Sequence, residues 1–428
     1  MSREEVFEVR LEGVTTKVTG WKWLVLSLQH FIAMFGATVL VPLLTGLDPL
    51  VALLTAGLGT LLFHFITGGI VPVFLGSSFA FIAPILLVKE KYGDLAYATG
   101  GIVVAGLFYA LYALIVKAIG PEKVQKLFPP IVTGSMIVVI GLTLSPVAIN
   151  MASKDWLLAL VVIVTVVVVA TMTKGFFSMI PVITGVVVGY LVALATGKVN
   201  TALIAETPTF SVPKIMLPKF DYGAIFVMVP VTLATFMEHL GDITTNGAVV
   251  GRNFFENPGL HRTLLGDGLA TSLAGLLGGP ANTTYSENTG VLALTRVYDP
   301  SVLRGAAFIA ILSAFIAKFG AVLRTIPEAV MGGVSLILFG MIASIGVRTM
   351  VNARVDLSKP KSLVIASLML TLGIGGAVLN LGRVEFKGIS LAAIVGILAN
   401  FLIPEKEATT LPLKEEGSLN PKGEHPAG

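Results

Sequence analysis

The chain has 428 residues, of which 55% are hydrophobic and only 13% are charged, with a net charge of +4. Because soluble globular proteins carry about 25% charged residues, this composition excludes an ordinary soluble domain and indicates a membrane protein. The absence of cysteine excludes disulfide bonds, thiolate catalysis and cysteine-ligated metals. The small positive charge is typical of membrane-protein loops, so we expect membrane lipid, and no nucleic acid, as a partner.

Apolar runs long enough to cross a membrane as helices, about 20 residues each, recur along the chain. They predict seven spans in a first half, near 23–46, 49–68, 71–88, 95–118, 127–148, 155–173 and 175–196. After a polar stretch, 197–221, they predict seven more, near 223–247, 260–280, 283–298, 302–323, 327–347, 362–380 and 388–404. The prediction is an all-α polytopic membrane protein with about fourteen transmembrane segments.

These spans form one membrane domain, 21–404, between an N-terminal segment, 1–20, and a polar tail, 405–428, that is predicted to be disordered. If the N-terminus is cytoplasmic, Lys and Arg in cytoplasmic segments outnumber those outside by about two to one. The first segment has no apolar core of the kind a cleavable signal peptide contains. We therefore expect a multi-pass protein of the cell (inner or plasma) membrane with both termini cytoplasmic.

A faint internal repeat divides the membrane domain into 21–196 and 222–404. Pro129 opens one span and Pro327 opens another about two hundred residues later, and each proline is followed five residues on by a glycine, Gly134 or Gly332. Two halves of seven spans are inverted relative to one another because seven is odd, and inverted repeats are a common transporter architecture. Prolines that simply start helices would explain the same match.

The third span of each half is short and interrupted by small polar residues. These interruptions are at 74–81, with the sequence FLGSSFAF, and at 281–290, with the sequence ANTTYSENTG. Irregular backbone at membrane depth persists only where it is buried in protein or lines a cavity. A matched pair of such segments therefore predicts a binding site where they meet, although each alone would fit a re-entrant or surface loop.

Four acidic residues lie deep in the predicted spans: Glu238, Asp242, Asp267 and Glu287. Charged groups at this depth are costly and usually functional. Glu238 and Asp242 are four residues apart and share one helix face, so they repel one another when both are ionised. A carboxyl group that takes up a proton under such repulsion is what proton coupling requires. The alternative is pairing with a buried base, but only Lys318 lies well inside a predicted span, and it can reach the surface.

The deep histidines are less informative. His64 and His239 are expected to be hydrogen-bonded packing residues. His30 follows Gln29 in the first span, and this polar pair fits a packing role and a functional role equally well. No metalloprotease, serine-hydrolase or phosphate-loop motif is present, so we expect no enzyme activity, no metal and no cofactor.

The segment from Glu287 to Arg296, with the sequence ENTGVLALTR, resembles the signature of the nucleobase–ascorbate transporter family. The resemblance extends to Gln29-His30 in the first span, to the EHLGD segment from Glu238 to Asp242, and to GSSFAF at 76–81. It covers the chain from about residue 20 to 404 and is strongest for the bacterial uracil-carrying branch, which has Glu at the start of the signature. Any one of these motifs alone would be weak, and together they are specific.

This resemblance implies a fold and a mechanism. It implies two inverted repeats with short strands in spans 3 and 10, a core domain of spans 1–4 and 8–11, and a gate domain of spans 5–7 and 12–14. It implies elevator-like movement of the core against the gate, a homodimer, and proton-coupled import of uracil. Purine transport (xanthine-type) and sodium coupling are the alternatives, and an anion exchanger or channel of similar architecture is a more distant one.

Carried over by position, the resemblance also implies the site. Glu238 and Glu287 would bind the base through their carboxyl groups, Phe79 and Ser286 through backbone N–H groups, and Tyr285 would line the pocket. The residues expected to support the site or to couple protons are Asp242, His30, Asn288 and Asp267. Two positions depart from the uracil-carrying branch: Asp242 stands where His is expected, and Ser286 where Gly is expected. The first departure weakens the transfer of a histidine-based proton mechanism and keeps a purine substrate open.

Overall fold

The structure is a computed structural model that describes residues 18–175, 177–381 and 384–404. Every predicted span of the first half contains a helix. The elements are α1 Gly20–Thr45, α2 Pro49–Ile66, β1 Leu75–Ser77, α3 Ile82–Tyr92, α4 Leu95–Ile119, α5 Pro121–Leu127, α6 Pro130–Thr143, α7 Ser145–Ala152, α8 Trp156–Met172, α9 Pro181–Ala195 and α10 Thr201–Glu206. The predicted tail, 405–428, and all but the last residues of the segment 1–20 lie outside the described residues.

The second half follows the same order. Its elements are α11 Tyr222–Met228, α12 Thr232–Val250, α13 Leu260–Leu276, β2 Asn282–Thr284, α14 Ser286–Thr295, α15 Pro300–Ala314, α16 Ala317–Arg324, α17 Glu328–Asn352, α18 Pro360–Ile374, β3 Val378–Leu381, β4 Val384–Lys387 and α19 Ile389–Leu402. Strands β3 and β4 form an antiparallel hairpin between the last two helices.

Aspartates fix where several of these helices begin. Asp48, Asp94, Asp155, Asp221 and Asp299 each accept a hydrogen bond from a backbone N–H in the first turn of the helix that follows. Such a carboxylate satisfies one of the N–H groups that a helix start leaves without a partner. These five acids therefore have a local structural role, unlike the four that lie inside spans.

Six helical segments in the described part of the chain are long and apolar enough to cross a membrane. They are Gly20–Thr45, Pro49–Ile66, Leu95–Ile119, Pro130–Ala152, Tyr222–Val250 and Glu328–Asn352. Shorter apolar helices complete the bundle: α8 and α9 lie between two of these segments, and α18 and α19 follow the last one. The prediction of a helical, multi-pass membrane protein is confirmed, and the number of fourteen spans stays a prediction.

The segment 302–323, predicted as one span, is broken. Helix α15 ends at Ala314, and α16 leaves it at an angle of 84°. Helix α16 is amphipathic, and Lys318 on it is exposed. Lys318 is therefore not a buried partner for the deep acids, because the helix that carries it turns away at the break.

Small residues allow the helices around the strands to approach closely. A Cβ atom on Gly106 of α4 would lie 2.3 Å from the Ser272 hydroxyl and 2.4 Å from the Gly268 carbonyl oxygen of α13. Ser272 in turn donates a hydrogen bond of 2.9 Å to the carbonyl oxygen of Val103. Membrane helices associate through this kind of close backbone approach and interhelical hydrogen bonding. The contact holds α13, which carries Asp267, against α4.

Candidate functional site

The two interrupted segments meet as a pair of antiparallel strands. Leu75 of β1 lies opposite Thr284 of β2, Gly76 opposite Thr283, and Ser77 opposite Asn282. All six residues are buried among helices. The backbone hydrogen bonds between Ser78 N and Ala281 O, 2.8 Å, and between Tyr285 N and Phe74 O, 3.0 Å, extend the pairing. The structure thus joins the third span of each half, as the matched interruptions predict.

A helix begins directly after each strand. Phe79 is the first residue of a single 3₁₀ turn that leads into α3, and Ser286 is the first residue of α14. The first N–H groups of a helix have no partner inside it, and the helix dipole makes this end positive. Two sets of donors consequently lie beside the paired strands, at the positions where the sequence predicts backbone ligands.

Tyr285 packs across the strand pair. Its hydroxyl donates a hydrogen bond of 2.9 Å to the Ser77 carbonyl oxygen, and its ring lies over Gly76. A Cβ atom at Gly76 would be 2.4 Å from the ring, so only glycine admits the tyrosine there. Phe79 is also buried and contacts Phe339 of α17 edge-on, with 5.8 Å between ring centroids.

The four deep acids come together next to the strands. Glu238 and Asp242 lie on α12, Asp267 on α13 and Glu287 in the first turn of α14. Glu238 lies within electrostatic range of the other three. Its Oε2 atom is buried and accepts no hydrogen bond from the described residues. A buried acceptor of this kind is costly unless a ligand or a proton satisfies it.

Asp242 is bound to the second strand. The hydroxyl of Thr284 donates a hydrogen bond of 2.7 Å to Asp242 Oδ2. The carboxyl group that stands where the uracil-carrying branch is expected to have His therefore contacts the strand pair directly, one helical turn from Glu238.

Asp267 is paired with His239. Its Oδ2 atom lies 3.0 Å from His239 Nδ1, and His239 Nε2 lies 3.0 Å from the Thr263 hydroxyl. Asp267, His239 and Thr263 are fully buried. The pair connects α12 to α13, which is the hydrogen-bonded packing role expected of His239.

Asn288 attaches α14 to α1. Its side-chain amide lies 3.1 Å from His30 Nδ1 and donates to the His30 carbonyl oxygen at 3.0 Å. The predicted supporting residues His30 and Asn288 are thus in contact with each other. His64 has the packing role expected of it, with Nε2 2.9 Å from the Val73 carbonyl oxygen.

Sequence reasoning missed Asn246 and Thr284. Asn246 lies one turn beyond Asp242 on α12, and its amide donates to the Pro72 carbonyl oxygen and to the Thr289 hydroxyl, both at 3.1 Å. The spacing Glu238, Asp242, Asn246 repeats every four residues and places all three on one helix face. That spacing could have identified Asn246, whereas the role of Thr284 depends on contacts that no local pattern encodes.

A cavity of about 790 Å³ reaches this site at Ser286. It runs between α12 and α14 on one side and α6 and α17 on the other, and Ser286, Gly290 and Arg348 are among its lining residues. Of the predicted ligands, Ser286 lines this cavity, and Glu238, Glu287, Phe79 and Tyr285 do not. Among the described residues, no group of three or more His, Asp or Glu side chains is arranged to hold a metal ion.

Broken helices that meet around buried polar groups inside a multi-pass bundle define a membrane transporter. A sequence model of the Permease family matches residues 21–382, and the chain belongs to this family, that of the nucleobase–ascorbate transporters. The family resemblance read from the motifs is therefore confirmed.

Two relatives match nearly the whole chain. The uracil permease of Bacillus caldolyticus is 47% identical over 419 residues, which cover 94% of this chain and 97% of that protein. The uracil permease of Bacillus subtilis strain 168 is 44% identical over 414 residues, covering 92% and 95%. Because these relatives are permeases, the prediction that the chain is a transporter and not an enzyme is confirmed.

The fold also matches a solved structure of low sequence similarity. The murine anion transporter Slc26a9 in its inward-facing state has a TM-score of 0.68 at 12% identity, covering 94% of this chain and 72% of that chain. At this identity the similarity concerns the fold alone, because one fold hosts many functions.

Proposed function

We propose that the chain is a symporter that imports uracil across the cell membrane together with protons. The observation that carries the proposal is the meeting of the Glu238 and Glu287 carboxyl groups with two helix starts, at Phe79 and Ser286, around one pair of strands. Relatives at 47% and 44% identity are named uracil permeases.

Uracil is complementary to this set of groups. Its ring edge presents N–H donors and carbonyl acceptors side by side. Carboxylate oxygens of Glu238 and Glu287 accept from the N–H groups, and the backbone N–H groups of Phe79 and Ser286 donate to the carbonyl oxygens. A base that lacks one of these groups leaves a buried partner unsatisfied, and sites built in this way discriminate strongly.

Asp242 is the proposed proton-coupling group. It shares a helix face with Glu238, and in this arrangement the negative charge on one carboxyl group disfavours ionisation of the other. Its hydrogen bond from Thr284 links its protonation to the strand pair that the base would contact. Two further contacts fasten the surrounding helices to one another. One joins His30 to Asn288, and the other joins Asp267 to His239.

The proposed architecture is two inverted repeats, 21–196 and 222–404, that form a core of spans 1–4 and 8–11 and a gate of spans 5–7 and 12–14. Its support is reciprocal packing. Helix α2 contacts α15 as α13 contacts α4, and α8 contacts α17 as α18 contacts α6. In the first comparison the second span of each half contacts the fourth span of the other half, and in the second comparison the sixth span of each half contacts the fifth span of the other half. This exchange is what a two-fold axis between inverted repeats requires.

Transport would occur as an elevator-like movement of core against gate. The 790 Å³ cavity lies between core helices α12 and α14 and gate helices α6 and α17, and so follows the surface on which the two would slide. With both termini cytoplasmic, as the basic residues favour, this cavity opens to the cytoplasm. We propose in addition a homodimer with gate domains in contact, which cross-linking in the membrane would test.

The experiment is uptake of labelled uracil into liposomes containing the purified chain. We expect accumulation that follows an inward proton gradient, is abolished by a protonophore and does not require sodium. Uptake equal to that of protein-free liposomes under every gradient would contradict the proposal, and strict sodium dependence would replace the proton by sodium.

The same assay separates the remaining alternatives. Xanthine displacing uracil more strongly than uracil displaces itself would indicate a purine carrier, the function that Asp242 keeps open. An anion carrier would show chloride-dependent current without base transport. The acidic character of the site, and the exposure of Lys318 on α16, argue against that function.

A further inference from the structure

A second cavity, of about 610 Å³, lies at the end of the bundle where α17 ends and α6 and α18 begin. It shares Pro130 and Ala353 with the 790 Å³ cavity, and no residue of the proposed uracil site lines it. Five basic side chains line it: Lys123, Lys126, Arg354, Lys359 and Lys361. They come from α5, from the loop between α17 and α18, and from the start of α18. The cavity therefore gathers positive charge from three separate parts of the chain.

One carboxylate, Asp356, shares the lining, and it is already engaged. It accepts hydrogen bonds from the Ser358 hydroxyl at 2.6 Å and the Ser358 N–H at 2.9 Å. These hydrogen bonds, with a smaller contribution from nearby Lys359, hold the pKa of Asp356 below its usual value. In the part of the chain that the structure describes, no ion pair involves Lys123, Lys126, Arg354 or Lys361.

Helix ends that are joined to one another form the walls of the cavity. The side-chain amide of Asn400, near the end of α19, donates to the Leu127 carbonyl oxygen at 3.2 Å and so fastens α19 to α5. Helices α6 and α18 both begin in the lining with no side-chain cap, and their N-terminal N–H groups add positive potential. An anion that enters the cavity meets side-chain and backbone donors together.

One wall of the cavity is apolar and leads to the outer surface of the bundle. Phe401 lines the cavity and is 78% exposed, and the neighbouring Leu402 is 70% exposed. On the adjacent α18, Leu363 is 52% exposed. A freely soluble phosphate needs no such wall, whereas a lipid whose headgroup occupies the basic cavity has acyl chains that must run along an apolar surface.

We propose that this cavity binds the phosphate headgroup of an anionic phospholipid, with its acyl chains along α18 and α19. Basic pockets between membrane helices recognise lipid headgroups in this way, with about 1 kcal/mol for each Lys or Arg near the surface. A free phosphate and a phospholipid headgroup both present a phosphate anion to the basic side chains. Only the lipid also has acyl chains that contact the apolar wall.

The test uses the purified full-length chain in uncharged detergent and measures its thermal unfolding temperature during titration. The probes are phosphatidylglycerol in mixed micelles, phosphatidylcholine in mixed micelles, and inorganic phosphate. We expect a saturable rise with phosphatidylglycerol only. The triple variant Lys123→Gln/Arg354→Gln/Lys361→Gln should bind phosphatidylglycerol roughly 100-fold more weakly.

The matched control removes three exposed charges elsewhere: Lys117→Gln/Arg252→Gln/Arg262→Gln. It should respond to phosphatidylglycerol like the unmodified chain. Equal responses of both triple variants, or a saturable effect of inorganic phosphate alone, would overturn the proposal. Retained uracil binding shows that a variant is folded. If Lys123→Gln/Arg354→Gln/Lys361→Gln does not bind uracil, the three single variants are tested instead. Each should lose about fivefold in affinity for phosphatidylglycerol.

Discussion

The hydroxyl of Thr284 donates a 2.7 Å hydrogen bond to Asp242, and this bond joins the helix that carries the proposed proton site to the strand beside the proposed substrate site. A change in the protonation of Asp242 alters the acceptor of that bond. Hydrogen bonds to ionised groups are shorter and roughly twice as strong as neutral ones. The bond is therefore a physical route by which proton binding and substrate binding can influence each other.

The first prediction concerns the variant Asp242→Asn. The amide oxygen can still accept from Thr284, but the side chain no longer carries an exchangeable proton. We expect uracil exchange between the two sides of a liposome to persist, while net uptake stops responding to the proton gradient. Thr284→Val is the matched comparison, because it removes the hydrogen bond and leaves the ionisable carboxyl group, so net uptake should still respond to the proton gradient but more weakly than in the unmodified chain. Gradient-driven accumulation by Asp242→Asn at the normal level would show that Asp242 does not couple protons.

The second prediction concerns the variant Glu287→Gln. It keeps the shape of the side chain and replaces an ionisable acceptor by a neutral amide facing the base. A hydrogen bond to a charged group contributes about 1.5–3 kcal/mol, so uracil affinity should fall by roughly 10- to 150-fold. Equilibrium binding of labelled uracil measures this directly. The exposed Glu206 provides the control, and Glu206→Gln should bind like the unmodified chain. Unchanged affinity in Glu287→Gln would remove Glu287 from the site.

The third prediction concerns the buried pair of Asp267 and His239, whose polar atoms are 3.0 Å apart. Asp267→Ala leaves the histidine without this partner, and unfolding should become easier by about 1–3 kcal/mol. Adding His239→Ala should cost less than the two single changes combined, because residues in contact are not additive. Thermal unfolding without ligand is the measurement. Lys219→Ala, which breaks the exposed pair with Asp94, is the control and should have no measurable effect.

The fourth prediction concerns access through the 790 Å³ cavity. Gly290 lines it on α14, and no atom lies within 4 Å of the position a Cβ would take there. Gly290→Leu should therefore fold normally, project into the cavity beside Ser286 and narrow it, and reduce uracil uptake. Gly340→Leu on α17 is the matched control, since its Cβ also meets open space but does not line the cavity. Normal uptake in Gly290→Leu would mean that the substrate takes another path.

The sequence predicted the positions of the helices well because the signal is simple. A long run of apolar residues in a membrane protein forms a helix, because every backbone polar group must be satisfied within the protein. The structure adds that aspartates such as Asp48 and Asp94 cap the helix starts. The same reasoning failed at 302–323. The 84° break after Ala314 interrupts an apolar run, and hydropathy does not report the direction of a helix.

The sequence likewise identified some features of the candidate site and left others undetermined. Because acids at membrane depth are rare, Glu238, Asp242, Asp267 and Glu287 stand out without any structure. Their partners do not stand out, because a hydrogen-bonding side chain in a membrane helix does not reveal which distant residue it contacts. Asn246 contacts Pro72, which is 174 residues away, and Asn288 contacts His30, which is 258 residues away.

The sequence by itself therefore determined the class of the protein, the two matched interruptions and the acids beside them, since each is a local consequence of the cost of polar groups in lipid. Only the tertiary structure decided that β1 and β2 pair, that Thr284 binds Asp242, that His239 binds Asp267, and that five basic residues from three segments line one cavity. Those relationships arise from packing between distant parts of the chain, where the geometry of several helices together selects which polar groups come within hydrogen-bonding distance.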